Sequence, residues 1–189
     1  MDVTGQRIHP TTIKTERLAL RAFSPSDASD IFDYSSNSNV TKDVFMYTHK
    51  SVEDTLRYVF AFDSPRTVSW AMQQREEEKV KRIVFLHSIN SHKQTTELAY
   101  NVSHKYWGEG YATEAAKRVL SHCLKEIDMR LIEGTCLTDY HSSVRLLEKA
   151  GMTFQATKVK ARQKNGLAYD LKYFTITRSR WLGVQVIGG

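Results

Sequence analysis

Residues 97–116 read Glu-Leu-Ala-Tyr-Asn-Val-Ser-His-Lys-Tyr-Trp-Gly-Glu-Gly-Tyr-Ala-Thr-Glu-Ala-Ala, and no other stretch of the chain constrains the fold as strongly. Leu98, Tyr100 and Val102 alternate with Glu97, Ala99, Asn101 and Ser103, the period-two pattern of a strand with two different faces. Past the glycines, Ala112, Ala115, Ala116, Val119, Leu120, Cys123 and Ile127 recur at helical spacing and define one buried stripe. Gly108 and Gly110 leave the backbone open to close approach, and the helix that follows has first-turn N–H groups with no partner inside the helix. Those donors lie at the positive end of the helix dipole, so the junction is an anion site that can hold a pyrophosphate. A Gly-x-Gly pair alone carries little weight. With these flanks it becomes a strand–loop–helix device, as expected of an enzyme that uses a phosphorylated cofactor.

The rest of the chain supplies alternating elements. Leu18, Leu20 and Ala22 alternate in a first strand, and Ser24-Pro25-Ser26-Asp27 reads as a helix start with a capping box and proline at the first helical position. Ser51-Val52-Glu53-Asp54 is a second capping signal, ahead of Leu56, Val59 and Phe60. Residues 68–73 and 80–89 form a hairpin across the polar stretch 74–79, and the basic and acidic run 75–82 is a solvated turn. A strand over 131–137, a short helix over 142–149 and two strands joined at Asn165-Gly166, a strong hairpin dipeptide, complete the order β-α-α-β-β-β-α-β-α-β-β. The order predicts an α/β protein with a mixed sheet and helices on both faces.

Composition narrows the function classes. With 189 residues, 41% hydrophobic and 25% charged, the chain suits one globular domain with a real core. No apolar run approaches the roughly 20 residues of a membrane span, and residues 1–14 hold no signal-peptide core, so a cytoplasmic location is the default expectation. Cys123 and Cys136 lack metal-ligand spacing and read as small buried hydrophobes, and no metal is expected. The net charge of +6 is spread among acids without an interleaved aromatic platform. A polyphosphate cofactor is therefore a sufficient anionic partner, and nucleic acid is not expected.

The segment Lys105-Tyr106-Trp107-Gly108-Glu109-Gly110 resembles the (Gln/Arg)-x-x-Gly-x-(Gly/Ala) turn of the GCN5-related N-acetyltransferases (GNAT), and Trp-Gly-x-Gly-Tyr-Ala-Thr-Glu-Ala is close to the form in their RimJ/RimL-type branch. Residues 15–21 look like that branch's first strand, residues 142–152 like its last helix, and residues 169–181 like its closing strand and tail. The resemblance implies a single acyl-CoA N-acyltransferase domain over residues 15–182, an N-terminal extension over 1–14 and a tail over 183–189. It also implies acetyl-CoA as cosubstrate and direct transfer of acetyl to a primary amine in a ternary complex. The amine would be a protein N-terminal α-amine, as on a ribosomal protein, or a small amine. The chain would act as a monomer or homodimer.

Amine acetylation needs a proton acceptor, since a lysine-like amine has a reference pKa of about 10.4. It also needs a donor for the developing oxyanion, which the resemblance places on a backbone amide where the central strand splays, and a donor for the departing sulfur. Glu97 matches the family's glutamate and is the candidate base; the competing reading is a solvated carboxylate or a partner of a neighbouring arginine. Ser143 matches a serine of the branch and is the candidate sulfur donor, against the alternative that Ser142 or Ser143 caps its helix. Tyr140 stands where the family commonly has Asn and is the reserve candidate for that acid. Leu147 stands where relatives place a tyrosine, and Ala99 replaces a usual glycine. Gly108, Glu109, Gly110, Tyr111, Ala112 and Thr113 would cradle the pyrophosphate, with Asn101 and Val102 pairing through backbone with the pantetheine arm and Tyr140 and Ser143 beside it. His104 and His141 flank these motifs, while His87 in its strand carries less signal. Two other classes remain: a non-catalytic acyl-CoA sensor or interaction module, to which Tyr140 points, and a basic nucleic-acid-associated protein.

Overall fold

The computed structural model describes residues 9–41, 46–61, 64–76, 80–102 and 108–183. Among the described residues, eight strands form one sheet: β1 (Ile13–Lys14), β2 (Leu18–Arg21), β3 (Val68–Gln74), β4 (Val80–Asn90), β5 (Thr95–Val102), β6 (Leu131–Leu137), β7 (Thr153–Lys164) and β8 (Leu167–Thr177). Their spatial order is β1-β2-β3-β4-β5-β6-β8-β7. Every neighbouring pair is antiparallel except β5 and β6, which run parallel because α4 (Tyr111–Lys125) crosses between them. The other α-helices among the described residues are α1 (Ala28–Ser35), α2 (Ser38–Thr41), α3 (Val52–Ala61), α5 (His141–Lys149) and α6 (Arg178–Trp181).

Alternation along the strands divides the core in two. Leu20, Trp70, Met72, Val84, Leu86 and Leu98 project to one face and pack with Ala115, Ala116, Val119, Leu120 and Cys123 of α4 and with Leu146 and Leu147 of α5. Ala71, Ile83 and Phe85 project to the other and pack with Ile31 and Tyr34 of α1 and Val59 of α3. The helical stripe read from the sequence is thus the buried face of α4, and helices cover both faces of the sheet. No helix among the described residues is long and apolar enough to cross a membrane.

Local signals act where the sequence places them. At the start of the first helical segment, Asp27 accepts from Ser24 N–H at 2.8 Å and Ser24 Oγ accepts from Ser26 N–H, completing the capping box over the 3₁₀ turn Pro25–Asp27. Ser51 Oγ accepts from Asp54 N–H at 3.2 Å ahead of α3. Asn165 (φ 51°) and Gly166 (φ 77°) both adopt the left-handed region, as a two-residue hairpin requires. The sequence reading lacks β1, α2 and α6; elements of two to four residues are too short for either periodicity to register. Trp70 is a packing aromatic, fully buried with Nε1–H donating to Thr11 O at 3.0 Å. Both cysteines are buried free thiols, and burial pushes the Cys136 thiol up to about 11.

Candidate active site

The parallel pair β5–β6 opens into a wedge. Pairing runs from Thr95↔Leu131 to Leu98↔Gly134 and ends there. Beyond that point β5 stays paired with β4 as far as Val102, and β6 stays paired with β8 as far as Leu137. Each strand therefore follows its antiparallel neighbour, and backbone groups of residues 99–102 and 135–137 are left along the two walls of a gap. Such a gap, beyond the carboxyl ends of parallel strands, is where α/β sheets hold ligands.

The glycine turn leads from the β5 wall into α4. Gly108 (φ 88°) and Gly110 (φ 82°) both occupy the left-handed region, and a side chain on Gly108 would meet nothing within 4 Å. The first in-helix bond of α4 is Glu114 N–H to Gly110 O at 3.0 Å, which leaves the amides of Tyr111, Ala112 and Thr113 as first-turn donors. Arg17 braces the turn: its Nη1 donates to Glu109 O at 3.0 Å, Nε and Nη2 each lie 2.7 Å from Glu114 Oε2, and its guanidinium stacks 4.1 Å above the Tyr111 ring. Burial works to raise the Glu114 carboxyl, and the hydrogen bonds from Thr15 and Arg17 outweigh it, leaving the group below its usual value. An open glycine turn, the first-turn amides of α4 and two parted strand walls suit a pyrophosphate-bearing, amide-rich cofactor arm. Asn101 and Val102 lie on the β5 wall, opposite Ile83 and Arg82 of β4. Lys105, Tyr106, Trp107 and His104 fall outside the described residues.

On the β6 side, α5 begins at His141 with Tyr140 at its N-cap position and no side-chain capping bond. Neither Ser142 nor Ser143 caps the helix, because the chain turns helical earlier than their spacing suggests; Ser143 N–H instead donates to Tyr140 O at 3.0 Å. Ser143 is buried, and the Tyr100 hydroxyl reaches across from β5 to donate to its carbonyl at 3.4 Å. Burial pushes the Tyr100 phenol well up, and the contact with Ser143 opposes this. Leu147 is fully buried above Gly134, where a Cβ would come within 3.0 Å of Leu147 and 3.2 Å of Met152. That glycine lets α5 lie close to the sheet. Tyr140 lines a cleft of about 590 Å³ with Thr138, Asp139, Tyr169 and Asp170.

Glu97 lies at the apex of the wedge, one residue before the strands part, on the face that α1 and α3 cover. Its Oε1 accepts from Thr135 Oγ1 of β6 at 2.8 Å, and its Oε2 lies 3.4 Å from His87 Nε2 of β4. Both side chains are about one-fifth exposed, His87 23% and Glu97 21%, so the carboxylate is neither freely solvated nor buried. Its recorded partners are thus a hydroxyl and an imidazole rather than an arginine. Ala99, the next residue on this face, packs toward the α1/α3 core. Lys164 Nζ donates to Thr41 O at 2.7 Å, tying the β7–β8 hairpin to α2.

His87, Thr135, Tyr100 and Gly134 escape sequence reasoning because each acts through a neighbour on another element, a strand for His87 and Thr135 and helix α5 for Tyr100 and Gly134. The one signal for His87 is that it interrupts the apolar alternation Ile83-Phe85 on its face. Among the described residues, no group of three or more His, Cys, Asp or Glu could hold a metal ion.

The acetyltransferase (GNAT) domain model matches residues 17–153. An uncharacterized N-acetyltransferase of Bacillus subtilis, YnaD, is 29% identical over 173 residues, covering 89% of this chain and 98% of its own. The crystal structure of a GNAT-family acetyltransferase from Bacillus anthracis superposes with a TM-score of 0.81 at 27% identity, over 89% of this chain and 99% of the other. A spermidine N-acetyltransferase from Vibrio cholerae, solved with CoA and spermine, shares the fold with a TM-score of 0.76 at 20% identity, over 89% and 99% of the two chains.

Proposed function

The chain belongs to the GNAT acetyltransferase family and is an acetyl-CoA-dependent N-acetyltransferase, and on that premise we propose that Glu97 is its general base and that the wedge between β5 and β6 holds the cosubstrate. The single observation that carries this reading is the end of β5–β6 pairing at Leu98 and Gly134, with a carboxylate at the apex and the glycine turn following the β5 wall.

When bound, acetyl-CoA supplies an activated acetyl carbonyl and a thiolate leaving group. The amides of residues 108–113 hold the pyrophosphate, and open backbone groups of Asn101 and Val102 hold the pantetheine arm. Glu97, fixed by Thr135, accepts a proton from the acceptor's ammonium directly or through water, leaving the nitrogen lone pair free to attack. A backbone amide of β5 beyond the point where it parts from β6 stabilises the developing oxyanion. The Ser143 or Tyr140 hydroxyl donates toward the sulfur. The acceptor enters on the α1/α3 face, between the N-terminal helices and the β7–β8 hairpin, and is a primary amine of a protein N-terminus or of a small molecule.

Calorimetric titration with acetyl-CoA, followed by a thiol-release assay across N-terminal peptides, polyamines and amino-acid derivatives, tests the reading. Micromolar binding with turnover of at least one acceptor is expected. Absence of acetyl-CoA binding by the folded protein would overturn it.

A further inference from the structure

We propose that His87 is a positioning residue for Glu97, and that the two side chains work as one proton-accepting pair whose tautomer Ser88 sets. This rests on the reading of Glu97 as the base.

The backbone is built for this contact. His87 and Glu97 are directly paired residues on β4 and β5, and the register breaks immediately afterwards, between His87 and Asn90. Within that break Ser88 holds φ 55°, a left-handed conformation that a non-glycine residue seldom adopts. Bulges of this kind re-aim side chains and gather at active sites, where strained residues are retained for function. Here the hydroxyl of the strained residue lies 3.0 Å from His87 Nδ1.

The hydrogen-bonding chemistry then fixes the ring. Nε2 lies 3.4 Å from Glu97 Oε2, and because an ionised carboxylate only accepts, this contact favours the tautomer with the proton on Nε2. In that tautomer Nδ1 must accept, and the Ser88 hydroxyl is its donor. Glu97 is held from both sides, by Thr135 on Oε1 and by His87 on Oε2, with lone pairs left for the acceptor's proton. In the transfer the acceptor's N–H bond breaks, an O–H bond forms on Glu97 and the electron pair stays on nitrogen.

Burial, against the pull of Glu97, favours the neutral ring. Burial does most to hold His87 below its ordinary value, Glu97 from β5 opposes this, and Arg162 from β7 adds to the lowering. Phe85, with its ring centroid 5.8 Å away, and Thr135 from β6 bring no charge. Once protonated, the ring would pair with Glu97 as an ion and weaken it as a base, so activity falls as pH drops through the His87 midpoint.

The test compares wild type with His87→Ala, His87→Gln and Glu97→Gln, using acetyl-CoA and the fastest acceptor of the panel. Loss of one charge-assisted contact predicts a fall in kcat of about tenfold for His87→Ala with KM for acetyl-CoA unchanged. In His87→Gln the amide replaces the Nε2 donor, so kcat recovers while the acid limb of the pH–rate profile moves. NMR of the His87 ring gives a readout independent of turnover: its midpoint falls further in Glu97→Gln and rises in Arg162→Gln. If Glu97→Gln abolishes turnover while both His87 variants keep the wild-type rate and profile, this inference fails alone. A His87 midpoint unmoved by Glu97→Gln also overturns it. If Glu97→Gln keeps the wild-type rate, the assignment of the base itself fails.

Discussion

The two ends of the wedge are built from different materials. At the end proposed for the cofactor the groups on offer are backbone: two glycines at positive φ, the first-turn amides of α4 and the parted walls of β5 and β6. At the end proposed for the acceptor they are side chains drawn from separate strands, Glu97 from β5, His87 from β4 and Thr135 from β6. Backbone donors serve any chain that makes the same turn. Side-chain constellations depend on register, where a slip of one residue reverses every face. The contrast teaches why one end is written in a short motif and the other is not.

The largest effect that separates the two ends is expected from Glu97→Gln. Removing a general base should lower kcat by about 10²- to 10⁴-fold while leaving calorimetric affinity for acetyl-CoA unchanged. A matching loss of affinity would join the two ends into one unit. Gly110→Trp should do the reverse: the side chain obstructs the turn at a position whose φ already strains any L-residue, and acetyl-CoA affinity should fall by more than about tenfold, or 1.4 kcal/mol. Its far-UV circular dichroism should remain that of the wild type, and full affinity in the variant would place the pyrophosphate elsewhere.

Gly134→Ala probes the shared apex. Its Cβ would press on Leu147 and Met152, so overpacking should cost about 1–3 kcal/mol in urea denaturation, with Ser143 and Tyr140 displaced along with α5. An unchanged stability would show that α5 gives way freely. Glu114→Gln, which loosens the Arg17 brace, should be the mildest, below about 1 kcal/mol because the ion pair is partly exposed. Its pH dependence has a definite sign. Because Glu114 is held below its usual value, its contribution is present above the ordinary carboxylate value of about 4.3 and lost as pH falls through the lower folded value. The stability gap between wild type and Glu114→Gln should therefore close only in strong acid. A gap that closed near neutral pH would contradict the brace.

Much of this molecule is legible without coordinates. The alternation from Leu98 to Val102 and the stripe from Ala115 to Cys123 give a strand and a helix because burial of one face repeats with the period of the element. The Ser24 and Ser51 signals mark helix starts because their hydroxyls satisfy amides within three residues. The alternative reading of Ser143 as a cap is the one that fails: its hydroxyl has the chemistry of a cap, yet the helix begins at His141 and Ser143 is buried, its carbonyl accepting from Tyr100. His87 is the larger miss, since one histidine in an apolar strand says nothing about which carboxylate faces it.

The sequence by itself determined the order of elements, the two-faced sheet, the glycine turn and, through motif resemblance, the family and its cosubstrate. These are local properties, set by periodicity and by backbone freedom within a few residues. Only the tertiary structure decided where β5 parts from β6, that Gly134 admits α5, that Arg17 locks the turn, and that His87 and Thr135 share Glu97. Those facts depend on register between paired strands far apart along the chain, with Leu18 opposite Gln74 in β2–β3 and Leu131 opposite Thr177 in β6–β8. Register is fixed when the two cores pack, and no segment carries it alone.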